Sequence, residues 1–393
     1  MMTQKLHRIL KLISTFVSKM TGLYIHIPFC ASRCIYCGFY STTLPSKRDA
    51  YVDALCHEME LRTEECEKDD SVSTIYLGGG TPSQLTTKQL ERIFSYIYKV
   101  YDASPTEVTM ECNPDDITPN LAEWISHSPI DRISLGAQTF SDQRLRFIHR
   151  RHTAEEVRQA VDLLRQADIG NISIDLMFGF PGETLADWKQ DINEALALKV
   201  EHISAYSLMY EEGTPLQQWL MEGRVKEIDD NLSLQMYDLL VDRLTTSGYR
   251  HYEISNFSLP GRESKHNSSY WHDVPYIGLG ASAHSFDGQH RSWNVADIDR
   301  YIEGINKGNR PCTIEKLTPE THYEDVVMTS LRTAEGIDLS KIRREFGQKR
   351  LNFLLCAARQ DLERGLLCLS DNHLRLTQSG IYLSDGITAR LFV

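Results

Sequence analysis

Between residues 22 and 310, short β-branched runs alternate with longer helical patterns, and this alternation restricts the fold more than any other feature. Strands are expected at 23–27, 74–77, 107–111, 132–135, 172–177 and 202–207, with a shorter one at 252–254. Between them the apolar residues follow a helical period. Val157, Ala160, Val161 and Leu164 fall at i, i+3, i+4 and i+7, and Val52, Leu55 and Met59 form a similar stripe. Such alternation implies parallel strands joined by crossover helices, in an open sheet or a barrel. Barrels of this kind place their chemistry at the carboxyl ends of the strands. Those ends are where the unusual residues lie. A cysteine loop follows the first strand and Gly78–Gly79–Gly80 the second. Glu111 to Pro114 closes the third, Gly136 to Gln138 the fourth, and Gly179 to Gly182 the fifth, with Asp175 inside it. Strand ends that share one face predict a single site.

A chain of 393 residues exceeds one ordinary core and suits a large α/β domain with a smaller partner. The pattern changes near Arg310–Pro311, so domains at 22–310 and 311–393 are expected. The second should hold helices near 319–333, 339–346 and 349–364. A hairpin around Ser370-Asp371-Asn372 and a last helix after Thr377 complete it, giving a helical domain with a small β-wing. The wing's charges nearly balance and the whole chain carries −12, so nucleic acid is not an expected partner. No apolar run is long enough to span a bilayer. Residues 1–21 read as an N-terminal extension. Lys5, Arg8, Lys11 and Lys19 lie in a stretch without acidic residues, and Lys11 breaks the apolar run without a cleavage site after it. A secretory signal is therefore disfavoured. Translation from Met20 is the favoured reading, and an amphipathic or transit-like segment the alternative. Nine cysteines without a pairing pattern point to a reducing cytoplasm, where clustered thiols serve metals.

Three of those cysteines are clustered as C-x3-C-x2-C: Cys30, Cys34 and Cys37. Three thiolates can hold three corners of a cubane, whereas a [4Fe–4S] cluster normally takes four. The open iron then suits a small chelating molecule. S-adenosylmethionine (SAM) can chelate it through its amino nitrogen and carboxylate, and an electron from the cluster can break its carbon–sulfur bond to release a 5′-deoxyadenosyl radical. A zinc site built from the same cysteines and His26 is the alternative, though no second Cys-x-x-Cys pair supports it.

The other strand ends offer a pocket for such a molecule. Gly79 and Gly80, with Thr81, let backbone approach a ligand closely, since no Cβ intervenes. Glu111 could hold ribose hydroxyls or an ammonium, or act as a capping acid ahead of Asp115 and Asp116. Gln138 adds polar contacts, and Arg150 suits a carboxylate. Asp175 sits in an apolar strand, where burial is costly unless it is paired. Together they describe one polar small-molecule pocket.

From about Leu23 to the C-terminus, these motifs resemble the radical SAM family of anaerobic coproporphyrinogen III oxidases and their relatives. The likeness rests on Tyr24 to Cys37, GGGTP at 78–82, Glu111 to Pro114, LGAQ at 135–138 and DLMFGFPG at 175–182. It implies an α/β fold: an incomplete (β/α)6 radical SAM barrel with a C-terminal helical domain. By position it implies SAM contacts from Tyr24, Tyr36, Gly79, Gly80, Thr81, Glu111, Gln138, Arg150 and Asp175. Ser207 and His284 would sit near a second ligand.

Two features depart from the oxidases. Phe39 stands where they resemble a fourth cysteine, and only 29 residues precede Cys30, where they carry a long arm. Both resemble the sister branch of heme chaperones, understood to bind heme and deliver it to apoproteins. His266-Asn267-Ser-Ser-Tyr270-Trp271 matches that branch's H-N-x-x-Y-W motif. His266 could ligate heme iron while Tyr270 and Trp271 pack on the porphyrin, and residues 266 and 270 would share one side of a helix. A structural cap with its aromatics in the core fits the same residues. The resemblance therefore implies a cytoplasmic heme chaperone with a [4Fe–4S] cluster, SAM and heme. Its partners would be an apo-hemoprotein, membrane-bound acceptors included, and an electron donor to the cluster. The alternatives are oxidative decarboxylation of coproporphyrinogen III to protoporphyrinogen IX, and a zinc-dependent interaction protein.

Overall fold

A computed structural model describes residues 21–65 and 71–393. The expected extension before residue 21, and the choice between Met1 and Met20, lie outside the described residues. Six parallel strands follow one another across the sheet: β1 (Thr21–Ile27), β2 (Val72–Gly79), β3 (Ala103–Cys112), β4 (Arg132–Gln138), β5 (Ile172–Phe178) and β6 (His202–Ser207). All six expected parallel strands are present. The shorter one is β7 (Arg250–Glu253), which turns back on β8 (Asn256–Ser258) instead of continuing the parallel series.

The sheet is larger than the sequence pattern suggests. β9 (Tyr276–Leu279) pairs in parallel with β1, and β10 (His284–Phe286), β11 (His290–Asn294) and β12 (Cys312–Lys316) extend that edge antiparallel. β12 still belongs to this sheet, so the change of pattern at Arg310–Pro311 precedes the sheet's last strand.

Each parallel strand alternates between two environments. Leu23, Ile25 and Ile27 of β1, Ile75 and Leu77 of β2, and Val108 and Met110 of β3 are buried among the crossover helices. The residues between them are polar or aromatic: Thr74 and Tyr76, Glu107, Thr109 and Glu111, Arg132 and Ser134, Ser173 and Asp175. Successive side chains on a strand point to opposite faces. The second set therefore lines the concave side, where Tyr76, Glu111, Ser134 and Asp175 meet. The result is an incomplete (β/α)6 barrel with an apolar outer layer and a polar lumen.

The crossover helices start where the chain supplies caps. Thr86, Thr153 and Thr184 each form a capping box with the residue three places on: Gln89, Glu156 and Asp187. Such caps contribute about 1 kcal/mol each. The helix Ala154–Gln166 buries Val157, Ala160, Val161 and Leu164, the stripe read from its spacing. Residues after β12 build a separate core around Tyr323, Val327, Ile342, Leu354 and Leu391. They form the helices Pro319–Leu331 and Leu339–Glu363, the latter broken at Gly347, and a three-stranded wing, β13 (Ile337–Asp338), β14 (Leu367–Ser370) and β15 (His373–Leu376). Among the described residues, no helix is long and apolar enough to cross a membrane.

Candidate functional site

The cysteine loop leaves β1 and is pinned at both ends. Cys30 N donates to Thr42 O at 2.9 Å and Thr42 N to Pro28 O at 2.7 Å, while Ile35 N reaches Ile148 O at 3.4 Å. Ile35 packs with Ile148, Met177, Phe180, Leu208 and Leu216, so the middle of the loop has its own apolar anchor. Cys30, Cys34 and Cys37 line one cavity of about 460 Å³ at the carboxyl ends of the strands. Burial pushes the Cys30 and Cys37 thiols up, opposed at Cys30 by a hydrogen bond from Thr81 Oγ1 at 3.6 Å. Metal ligation replaces those protons. Three thiols on one anchored loop fit a cubane with one open iron. Among the described residues, no three His, Cys, Asp or Glu side chains converge tightly enough to chelate a single metal ion. His26 is not free to complete a zinc site, since its Nδ1 is hydrogen-bonded to Tyr24 Oη at 3.0 Å and its Nε2 to Tyr40 O at 3.1 Å.

Opposite the thiols, the cavity wall is polar. Gly79 has φ of +107°, and a Cβ there would lie 2.4 Å from the His26 ring, so only glycine fits. Its N–H donates to Glu111 Oε2 at 3.1 Å, and Tyr76 Oη donates to Oε1 at 2.7 Å. Burial raises the Glu111 carboxyl to about 7; those two hydrogen bonds oppose the rise and the nearby Asp175 charge adds to it. Gln138 follows a register shift in β4 and has φ of +64°, an uncommon conformation for a residue with a side chain. The irregularity turns it toward the cavity at the strand end. Arg150 is half-buried; its Nη1 donates to Asn113 Oδ1 at 2.6 Å, and its Nε has no partner among the described residues. Burial works against its charge, but Tyr36, Cys34 and Asp175 together hold the guanidinium above its ordinary value. Asp175 is raised by burial, with Ser204, Arg132, Arg150 and Ser134 opposing.

The structure thus brings Cys30, Cys34, Cys37, Tyr36, Gly79, Gly80, Thr81, Glu111, Gln138, Arg150, Asp175 and Ser207 to one cavity. Tyr24 is placed elsewhere. It lines a second cavity of about 500 Å³, with Tyr270, Trp271, Tyr276, His284 and Phe286. The exposed Phe39 lines both cavities.

His266 lines neither cavity. It is buried at the start of the helix Lys265–Trp271, its ring stacked on Tyr76. Nδ1 is hydrogen-bonded to Thr74 Oγ1 and Nε2 to Tyr270 Oη, both at 2.9 Å. Burial lowers its pKa to about 3. The sequence reading of His266 as a heme ligand therefore meets a ring already engaged at both nitrogens. Tyr270 and Trp271 do reach an open cavity.

Sequence reasoning missed the residues that seat this helix. Glu107, buried on β3, accepts from the Lys265 and His266 backbone N–H groups at 2.9 Å each and from Ser264 Oγ at 3.3 Å. A carboxylate at a helix N-terminus meets free donors and the positive end of the helix dipole. Arg132 is also buried, with no hydrogen bond from its Nε or Nη1 among the described residues, and its charge opposes protonation of Glu111 and His266. The period-two polar residues on the strands were the available signal for both.

The Radical SAM superfamily matches residues 24–195, and the HemN C-terminal domain matches residues 317–383. The "Heme chaperone HemW" of Bacillus subtilis is 35% identical over 94% of this chain and 98% of its own length. That of Lactococcus lactis is 36% identical over 84% of this chain and 86% of its own. The mitochondrial "Radical S-adenosyl methionine domain-containing protein 1" of Danio rerio is 29% identical over 93% of this chain and 85% of its own. The coproporphyrinogen III oxidase HemN of Escherichia coli, a radical SAM enzyme, superposes with a TM-score of 0.83 at 21% identity, covering 98% and 93% of the two chains. That likeness shows a shared fold. The Radical SAM match implies SAM and a [4Fe–4S] cluster, and identity over nearly full length shows that this chain belongs to the HemW family of radical SAM proteins.

Proposed function

We propose that this protein is a heme chaperone: it binds heme and passes it to an apo-hemoprotein. The carrying observation is the aromatic cavity of about 500 Å³ that adjoins the thiol-lined one and shares Phe39 with it. Its size is in the range of sites that enclose small ligands, and its aromatic walls suit a flat apolar macrocycle.

In this reading, Cys30, Cys34 and Cys37 hold the cluster. Tyr36, Gly79, Gly80, Thr81, Glu111, Gln138, Arg150, Asp175 and Ser207 surround SAM, and Tyr24 braces the wall from the heme side. Bound there, cluster and SAM supply one-electron radical chemistry. Arg150, with its unpaired Nε, would hold the SAM carboxylate in a charge-assisted contact. Glu111 in its ionised form would accept from ribose hydroxyls or the ammonium. An electron donor to the cluster and an acceptor protein, membrane-bound acceptors included, complete the scheme.

Anaerobic titration of the reconstituted protein with heme, followed by mixing with an apo-hemoprotein, tests the proposal. One heme bound and then transferred is expected. A reconstituted protein that binds no heme would overturn it. The polar wall opposite the thiols favours one second reading, decarboxylation of coproporphyrinogen III. With SAM, reductant and a working oxidase run in parallel, absence of protoporphyrinogen removes that reading.

A further inference from the structure

The aromatic cavity leaves the cargo's iron in need of a ligand; His26 and His284 line it, and His266 packs against its wall at Tyr270. Two are closed. His26 is hydrogen-bonded at both ring nitrogens, to Tyr24 and Tyr40, and His266 at both, to Thr74 and Tyr270. Opening either would break two hydrogen bonds inside the protein and leave their buried partners unsatisfied.

His284 differs in each respect. It sits on β10 at the cavity's edge, exposed, with its ring stacked on Trp293 at 5.8 Å and, among the described residues, no hydrogen bond at either ring nitrogen. Strand alternation puts His284 and Phe286 on one face, toward the cavity, while Ser285 between them turns inward to accept from Arg62. Partial burial and the Arg291 charge both disfavour protonation, so the ring is the neutral form that binds metals. The surroundings suit the rest of the molecule. Tyr270 and Tyr276 pack edge to face at 4.7 Å and offer apolar surface. Arg291 stands at the cavity edge, its guanidinium paired with Asp325 and Glu315.

We propose that His284 is the axial ligand to the iron of heme bound in this cavity, and that His266 is a positioning residue that holds Tyr270 in the cavity wall. The inference rests on the heme-chaperone reading and names the contact that reading lacks. Heme iron is commonly held by one neutral imidazole.

The test uses full-length, anaerobically reconstituted protein titrated with heme and read by Soret absorbance and electron paramagnetic resonance. Wild type should show a histidine-ligated spectrum. His284→Ala should lose it and weaken binding by at least about tenfold, and added imidazole should restore the spectrum. His266→Gln should keep the ligated spectrum. SAM binding by both variants reports that the barrel is folded. A histidine-ligated spectrum that survives in His284→Ala overturns the inference, whether or not His266→Gln loses it, and leaves the heme-chaperone reading standing. Wild-type protein that binds no heme overturns both.

Discussion

Replacing Glu111 with glutamine should separate what the fold tolerates from what the ligand requires. The Glu111 carboxyl is half-buried, and desolvation raises it to about 7, against an ordinary value of 4.5. In the folded protein it therefore keeps its proton over a pH range where the unfolded chain has lost it. A raised acid pKa contributes stability that is fully present below the unfolded value and is lost as pH rises through the folded one. Above pH 7 the charge must be held in the fold, at a cost of up to about 3 kcal/mol. Glutamine carries no charge at any of these pH values. It keeps an acceptor for Tyr76 Oη but loses part of the pairing with Gly79 N–H, a loss of about 1 kcal/mol that does not depend on pH. Glu111→Gln should thus gain about 2–3 kcal/mol on wild type between pH 5 and pH 8. Urea unfolding of SAM-free protein at the two pH values reads this difference, with the constant loss cancelled. Calorimetric titration with SAM should show the opposite trend. Wild-type affinity falls as pH drops below 7, by up to about tenfold per unit, while the variant binds weakly throughout. A stability difference between variant and wild type that stays the same at pH 5 and pH 8 would refute the argument, because the carboxyl would then not be charged at a cost.

Two further predictions rest on the same geometry. Cys30→Ser, Cys34→Ser and Cys37→Ser should each lose most of the bound iron and sulfide after anaerobic reconstitution, while Cys56→Ser, buried in the helix Arg48–Leu61 away from the cavity, should not; iron and sulfide assays decide. Glu107→Ala leaves two backbone N–H groups and the Ser264 hydroxyl without their acceptor. Two of these, the His266 N–H and the Ser264 hydroxyl, are buried; at about 1–3 kcal/mol for each, a loss of about 2–6 kcal/mol in urea unfolding is expected, with weaker heme binding as Tyr270 and Trp271 lose their seat. A loss below about 1 kcal/mol would show that the helix is held by its packing and not by its N-terminus.

The six parallel strands and their crossover helices were legible because the two periods are strong there. Val157, Ala160, Val161 and Leu164 mark one helix face unambiguously, and the strands lie between such stripes. β8 to β11 were not legible for a physical reason. They run three to five residues, and their stability comes from pairing, β8 with β6, β9 with β1, β10 with β9 and β11 with β10, not from an alternation of their own. Cys30, Cys34, Cys37 and the glycines stood out by spacing. Glu107 and Arg132 did not, because a single buried charge in a strand looks the same in sequence whether its partner is a helix N-terminus, a ligand or solvent. His266 shows the same limit from the other side. A histidine four residues before a tyrosine reads equally well as a metal ligand or as a ring hydrogen-bonded to that tyrosine, and only the positions of Thr74 and Tyr76 distinguish the two.

Phe39 connects the two cavities. It is 71% exposed, two residues beyond Cys37, and lines both the thiol cavity and the aromatic one. A cysteine at this place would set a fourth thiol between the two ligands. Phenylalanine removes that donor and presents an apolar ring instead. A phenyl ring standing mostly in water contributes nothing until something covers it, and full burial is worth about 1.5–3 kcal/mol. If the edge of a porphyrin covers part of it, Phe39→Ser should weaken heme binding by about tenfold, since 1.4 kcal/mol corresponds to one decade. Iron content should not change, because no ligand to the cluster is removed. Phe39→Leu, which keeps most of the apolar surface, should recover most of the affinity. Titration of the three proteins with heme, each assayed for iron first, separates the possibilities. Equal heme affinity in all three would mean that the ring faces solvent in the complex, and that the cargo sits deeper, against Tyr270 and Trp271 alone.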